Sequence, residues 1–515
     1  MRGRSTTHKQ HLLRTALTSA ALLAAYPAAA QTSSVNRQMQ SLQSQIQQLQ
    51  QQLQSLQSQV NDSQAAAQKA QQDAAQAQAA AAQAHPTANG AIVTMSTGNR
   101  PGICTADLQN CIELTSRLHI DLGDYLNVHP QQSTGPHSLT SGIDARRARI
   151  GVLGKFAGDW NYALTFDFGG STDSAPTSTD IENAFLTYNG FRPVAIDFGY
   201  LDVPFTLDEA TSSNDIMFME RAEVQNVVTN LAANDFRSAL GVRSNDTRYW
   251  AGVYLTGPQA GAPHSGSNSQ QLGGTARATY QVLEGPNYSL HAGVEGEYVF
   301  RPRANGAAGS SIAGSTVSFS DRPELRVDPT IFLNTGSIPA KNAGAYGGEL
   351  AGGWNSFFFQ GEYYHIFVDQ AGLSATAPTP ELGFDGYYAE ASYTLTGEAR
   401  HYIPTTGAYS GIAPDHPFSF KNGGWGAWEL AARYSYLNLN DHNHFGVSPL
   451  VTGGVFGGRA EGIALGVNWY PVTNIRFMLN YIHDVVNKIP QTTAGGTTST
   501  GVTVDAIALR TQIAF

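Results

Sequence analysis

Between Ile463 and Ile482 the chain alternates apolar residues with small or polar ones, pauses for four residues, and alternates again. Ile463, Leu465, Val467 and Trp469 fall on one face, and Ala464, Gly466, Asn468 and Tyr470 on the other. After Pro471-Val472-Thr473-Asn474, Ile475, Phe477, Leu479 and Tyr481 share a face opposite Arg476, Met478, Asn480 and Ile482. A period of two marks a strand, and two such runs across so short a break make an antiparallel hairpin. The last residues repeat the pattern: Ile507, Leu509, Ile513 and Phe515 oppose Ala508, Arg510, Gln512 and Ala514. A soluble sandwich also alternates, but it does not usually set short turns at one end against long Gly/Ser/Asn loops at the other. Here the long loops are Gly257–Gly274, Pro302–Asp321, Thr405–Gly424 and Asn440–Gly457. Short turns, long loops and aromatics near the strand ends are the signature of a membrane-spanning barrel.

Composition narrows the class further. The 515 residues include 53 Gly, 22 Tyr and 23 Phe, and only 14% are charged, against roughly 25% in soluble domains. Six lysines and a formal charge of −10 exclude nucleic acid as a partner. After the first thirty residues no apolar run approaches the ~20 needed for a spanning helix. About 400 residues follow Leu114; at roughly 20–25 residues per strand with its share of loop, they suffice for about 16 to 18 strands around an aqueous lumen. The expected fold is therefore all-β, a transmembrane antiparallel β-barrel of about 16 strands, preceded by an α-helical coiled coil. Closure matters because lipid offers no partner to an unpaired backbone group.

Residues 1–30 read as a secretory signal. Arg2, Arg4, Lys9 and Arg14 precede the mostly apolar stretch Ala16–Tyr26, and Ala28-Ala29-Ala30 supplies a cleavage site. Its removal leaves 26 bases against 40 acids, a charge of −14. Residues 31–85 read as a Gln/Ala-rich coiled coil in the periplasm. Val35, Met39, Leu42, Ile46, Leu49, Leu53, Leu56 and Val60 are spaced 4 and 3 in turn, the a/d seam of a heptad. Little else in the segment is apolar, so the helix must self-associate; Ile46 and Val60 at a, with Leu at most d positions, lean towards a dimer. Residues 86–116 read as a linker in which Cys104 and Cys111 form a disulfide, given an oxidising compartment. Residues 117–515 remain for the barrel.

Strand parity puts basic residues on the lumen face. Arg147, Arg149 and Lys155 oppose Ile150, Val152 and Phe156; Arg237 and Arg243 oppose Leu240 and Val242; Arg277, Arg433 and Arg510 alternate likewise. A lipid-facing arginine would cost about 2–4 kcal/mol near the midplane, so the lumen is the expected side. There, these eight residues would line an anion path. The competing arrangement has them paired with lumen acids such as Asp167, Glu362 or Glu429, bracing the wall.

Several segments resemble the phosphate-selective porin family (porins O and P), in the same order along the chain. They are Arg146–Lys155 with Gly158-Asp159-Trp160, Phe198–Phe205, Thr211-Ser212-Ser213 with Met219-Glu220-Arg221, Tyr393–Arg400, Trp428–Tyr434 and Gly466–Tyr470, over roughly residues 117–515. The resemblance implies a 16-stranded, trimeric outer-membrane barrel that passes anions along lining arginines, and the terminal Phe515 resembles an outer-membrane assembly signal. The expected trimer prevails over the dimer-leaning seam because a barrel contact offers far more area. The family's phosphate-specific members carry clustered lysines at the constriction; the four lysines after residue 116 here are scattered. A general or weakly anion-preferring porin is the expectation.

The expected function is thus passive diffusion of small solutes across a Gram-negative outer membrane, with phosphate and other small anions as candidates. The alternative is an outer-membrane anchor that tethers the envelope to the cell wall through the coiled coil. Asp441-His442-Asn443-His444 holds metal-type side chains, but a solvated loop explains them, and no metal or cofactor is assigned. Nucleophile-elbow, His-Glu-x-x-His and phosphate-loop motifs are missing from the sequence, and no enzymatic role is expected.

Overall fold

A computed structural model describes residues 91–515 apart from 97–98, 131–138, 171–179, 234–236, 261–269, 305–313, 372–377, 445–446, 489–491, 494–495 and 498–500, with positions 47, 51 and 54 before them. The signal segment and the heptad seam lie outside the described residues. Two compact units divide at His85/Pro86.

The second unit opens with β1 (Ala91–Met95) and β2 (Pro101–Thr105). Sixteen strands follow: β3 (Cys111–Pro130), β4 (Gly142–Phe156), β5 (Trp160–Asp167), β6 (Asp180–Phe191), β7 (Val194–Leu201), β8 (Arg237–Asn245), β9 (Tyr249–Gln259), β10 (Leu272–Gly285), β11 (Tyr288–Arg301), β12 (Ile338–Trp354), β13 (Phe357–Gln370), β14 (Glu381–Thr394), β15 (Ala427–Asp441), β16 (Val455–Val472), β17 (Ile475–Asn487) and β18 (Gly501–Ala514). Each pairs antiparallel with its sequence neighbour, and β18 closes the ring on β3 from Val502↔Pro130 to Ala514↔Arg117. No sheet edge is left to face lipid in this ring.

The alternation sorts side chains as the pleat requires. On β16 and β17, Ile463, Leu465, Leu479 and Tyr481 are exposed outward, while Ala464, Asn468, Arg476, Met478 and Asn480 are buried inside. Aromatics girdle both ends. At the turn end Phe156 stacks on Trp160, Trp160 meets Tyr188, and Trp428, Trp469 and Phe477 form a stacked row; at the loop end Tyr387 stacks on Tyr436 and Tyr298 meets Phe300.

Two sequence expectations change. Residues 86–116 are not a linker throughout: β2 pairs with the start of β3, and β1 pairs with β2. β3 begins at Cys111, six residues before the expected barrel boundary at 117 and below the point where β18 ends. The hairpin therefore continues the ladder beneath the C-terminus, where Phe515 exchanges backbone hydrogen bonds with Ser116 at 2.8 and 3.0 Å. A disulfide joins Cys104 to Cys111 across this pair, with Cα atoms 4.1 Å apart. Secondly, Thr405–Gly424 is not a loop of the long-loop end. β14 runs towards the turn end, so its connection to β15, residues 395–426, starts among the short turns.

Closing a short loop by a disulfide removes about 2–3 kcal/mol of chain entropy from the unfolded hairpin. Replacing both cysteines with serine should raise amide exchange in 91–105 and leave β3–β18 protection unchanged. Uniform loosening of the barrel would show instead that the hairpin is needed for closure.

Candidate functional site: the barrel lumen

The lumen is crowded by three chain segments, and the wall arginines are what hold them. Residues 202–233, between β7 and β8, turn inward and form α1 (Leu207–Ala210) and α2 (Glu223–Ala232). Thr206 caps α1 by accepting from Glu209 N, and Glu362 on β13 accepts from the amides of Leu207 at 2.7 Å and Asp208 at 3.2 Å. α2 buries Val224, Val227, Val228 and Leu231 among Val299, Ile366, Phe384 and Leu437 of the wall. Met217, Phe218 and Met219 pack on Ala431, Ala464, Met478 and Ala508, where small residues leave room for an inserted chain. Gly466 belongs to this set: a Cβ there would come within 3.3 Å of Phe218.

Between the helices the chain is irregular, so its carbonyls need partners from outside. Arg476 donates to Asn214 O at 3.0 Å and Ile216 O at 2.6 Å. Arg433 donates to Glu220 O at 2.8 Å, and Arg400 to Asp215 O at 2.6 Å. Arg510, fully buried, grips Met219 O, both Asp121 oxygens at 2.6 and 2.7 Å, and Glu220 at 2.9 Å. Arg146 adds a two-pronged pair to Glu220 at 2.8 and 3.0 Å.

Residues 314–337, on a connection from the same end, also lie in the lumen. Glu324 pairs with Arg433 and accepts from Ser435 at 2.8 Å, and Arg326 pairs with Asp321 at 2.6 Å. Residues 395–426 enter from the turn end: Arg277 donates to Thr406 O at 2.9 Å and Gly407 O at 2.7 Å, and Arg400 pairs with Glu429 at 2.8 Å.

The eight predicted path residues accordingly divide. Arg277, Arg433 and Arg510 are corrected: they are 2%, 5% and 0% exposed and serve as struts, not as a water-lining ladder. Their reason is the carbonyls and carboxylates of the inserted segments. Arg237 is also buried, donating to Gly257 O at 3.0 Å and Asn230 O at 3.3 Å. Lys155 sits at the turn end of β4, opposite Cys111 and Asn161. Arg149 and Arg243 remain on open space, a cavity of about 660 Å³ that Arg117 and Arg221 also line; Arg147 borders it but is itself only 5% exposed. Arg149 bridges Asp167 and Glu182, and Arg243 pairs with Asp197 at 2.8 Å. Arg147 differs: among the described residues it makes no ion pair, and its Nε and Nη1 have no hydrogen-bond partner.

Glu295, Glu349 and Glu362 bring carboxylate oxygens within 4.8 Å of one another. Glu349 is taken by Arg277 at 2.9 Å and by His291, and Glu362 by two amides and the hydroxyls of Tyr364 and Tyr388. Glu362 thus ties the inserted chain to the wall, and Glu349 fixes the Arg277 that grips residues 406–407. Sequence reading overlooked Arg117, Arg146, Arg221, Arg400 and Arg476 as functional. The segments Thr211–Ser213 and Met219–Arg221 stood out by resemblance, but nothing in them says that they lie inside the barrel.

The family-level comparison fits this geometry: residues 112–515 match the model of "Phosphate-selective porin O and P". The chain belongs to that porin family. It is 26% identical over 416 residues to Porin O of Pseudomonas aeruginosa, covering 78% of this chain and 89% of that protein. An uncharacterised protein of Caulobacter vibrioides is 28% identical over 378 residues, 71% of this chain and 66% of that one. Among solved structures, an anion-selective porin from Comamonas acidovorans is 12% identical and covers 79% of this chain and all 100% of its own, with a TM-score of 0.44. The protein is thus an outer-membrane channel of the porin type, and the segments 202–233, 314–337 and 395–426 are what narrow it.

Glu220 tests how the narrowing is held. Burial works against its charge, yet Arg146, Arg147, Arg510 and Arg326 hold its carboxyl well below the usual range. A carboxyl lowered on folding contributes stability that is complete above its free value of about 4.3 and is lost only as pH falls through the lower folded value. Single-channel currents should therefore show no loosening of the inserted segment between pH 7 and about pH 4. Glu220→Gln at pH 7 should give larger, noisier currents, and quiet wild-type-like currents would show that the arginines hold the segment through its carbonyls alone.

Proposed function

We propose that the channel's preference for small anions is set at Arg147. The supporting observation is a charge count in the 660 Å³ cavity, where five guanidinium groups face four carboxylates. Arg149 and Arg243 have acid partners, and Arg117 binds the hydroxyls of Ser212 and Ser213. Arg147, at the edge of this space, makes no direct ion pair among the described residues and shares the charge of Glu220 with other arginines. A guanidinium away from bulk water, with donors unused, is a site where an anion replaces the missing partner. The overall charge of −10 does not oppose this, because potentials in a narrow lumen are set by nearby groups.

Phosphate is one candidate solute, as the family name and Porin O suggest. The scattered lysines support a broader preference that includes organic and sugar acids. A passage, not a reaction centre, is the reading the lumen supports. A homotrimer is the assembly we favour, since membrane barrels of this size have ample wall for contact, with residues 31–85 as a further self-association element that could reach the cell wall.

Two experiments test this. In planar bilayers under a salt gradient, Arg147→Gln should lower the anion-to-cation permeability ratio several-fold while keeping conductance. An unchanged ratio would move selectivity elsewhere, and cation preference in the wild type would reduce all the arginines to bracing. Added phosphate should compete with chloride current in proportion to its specificity. Deleting residues 31–84 should spare conductance, whereas its loss would make the coiled coil part of the channel and favour the anchor reading.

A further inference from the structure

One polar arrangement occurs twice on the outside of the barrel. On β13, Tyr363 and His365 project outward two residues apart, and both reach the same oxygen of Asp385 on β14, Tyr363 Oη at 2.6 Å and His365 Nδ1 at 2.9 Å. On β17, Tyr481 and His483 do the same to Asp505 on β18, at 2.8 and 2.7 Å. In both clusters the histidine and the aspartate are directly opposite in the ladder. Asp385 and Asp505 are each the fifth residue of their strand from the loop end. The two clusters therefore sit at matching heights, with the tyrosine on the membrane side of each histidine.

On the turn side of the clusters the outward face is mostly apolar, including Phe357, Leu479, Ile507 and Leu509, all exposed, while Asp369 and Glu381 share that face at the loop end. Polar groups on that face are costly at acyl-chain depth and cheap near the boundary. Each carboxylate is occupied by its own tyrosine and histidine. What is left pointing away is the other ring nitrogen, Nε2, which no described residue engages. With Nδ1–H given to the aspartate, a protonated imidazole presents Nε2–H outward as a charge-assisted donor. Between the clusters, on the outward face of β16, lies Arg459, whose ion pair is with Glu461 at 3.3 Å and whose side chain is 45% exposed. The loop end of a barrel of this kind faces the exterior.

We propose that His365, Arg459 and His483 bind phosphate groups on the phosphorylated glycolipid of the outer leaflet, with Asp385 and Asp505 orienting the two rings. The barrel wall would then hold specific lipids at two fixed positions, apart from any solute in the lumen. The assignment rests on the outer-membrane placement and is independent of pore selectivity.

The test uses the full-length protein in detergent with purified lipopolysaccharide, and the same lipid stripped of phosphate, with retained lipid counted by native mass spectrometry. His365→Ala/His483→Ala should retain the phosphorylated lipid about tenfold less than wild type, as loss of charge-assisted hydrogen bonds predicts. Arg459→Gln should weaken it separately, and wild type should hold the stripped lipid no better than the double variant. Conductance of the variants, unchanged, reports an intact barrel and a channel reading untouched by the result. Equal retention by wild type and double variant, or of intact and stripped lipid, overturns the proposal. So does full displacement by inorganic phosphate at the lipid's own concentration, which would make this a free-anion site. Dissociation of the assembly in the double variant would also overturn it, assigning the clusters to a face between copies.

Discussion

An irregular chain inside a barrel is stable only if something answers its backbone carbonyls. Helices and strands satisfy these groups themselves, but residues 211–221 do neither, and they lie where bulk water is scarce. The wall answers with guanidinium groups. Arg433, Arg476 and Arg510 each donate to main-chain oxygens of this stretch, and Arg400, from the inserted segment 395–426, adds a further donor. Arginine suits the task because its planar fork satisfies two or three acceptors at once and stays charged in any surroundings. Carbonyls take part of the charge, and Glu220, Glu429, Glu324 and Asp121 take the rest. Charge-assisted bonds of this kind contribute about 1.5–3 kcal/mol each, roughly twice a neutral pair.

Much else follows from that arrangement. Small residues are needed where the inserted chain meets the wall, hence Ala431, Ala464 and Ala508 facing inward beside long Arg and Met. Even Glu362, an acid without an arginine, completes α1 by accepting its first amides, which a helix of four residues cannot satisfy alone.

The barrel was legible because its rule is local. Ile463–Ile482 and Ile507–Phe515 show their two faces by parity alone, and parity correctly put every predicted arginine on the inner face. What parity cannot show is whether an inward side chain meets water or another segment. Arg433 and Arg243 look alike in sequence; one is buried against Glu324 and the other lines open space. The end from which residues 395–426 enter depends on counting strands through β14, an all-or-none property of the whole ring. The β1–β2 hairpin escaped notice for another reason: five-residue strands around a short cystine loop carry too little periodicity to register.

Seen this way, Arg147 is the informative exception. Its neighbours show that carboxylates are readily supplied here: from the wall, Asp167 and Glu182 to Arg149 and Asp197 to Arg243, and from the inserted segment Glu220 to Arg146. Leaving one guanidinium buried without a direct ion pair costs stability, since the nearby charge of Glu220, shared with Arg146, Arg510 and Arg326, offsets only part of its lost hydration. A strut would not be built so, because its donors would be spent on the chain it supports. A permeation site must be, because an anion held by a fully paired cluster would find no donor, and one held by several spare arginines would not leave. On the proposed reading, one guanidinium without a direct ion pair among paired neighbours would meet both demands: it would attract an anion into the cavity, and the adjacent carboxylates would keep that attraction shallow enough for the ion to move on.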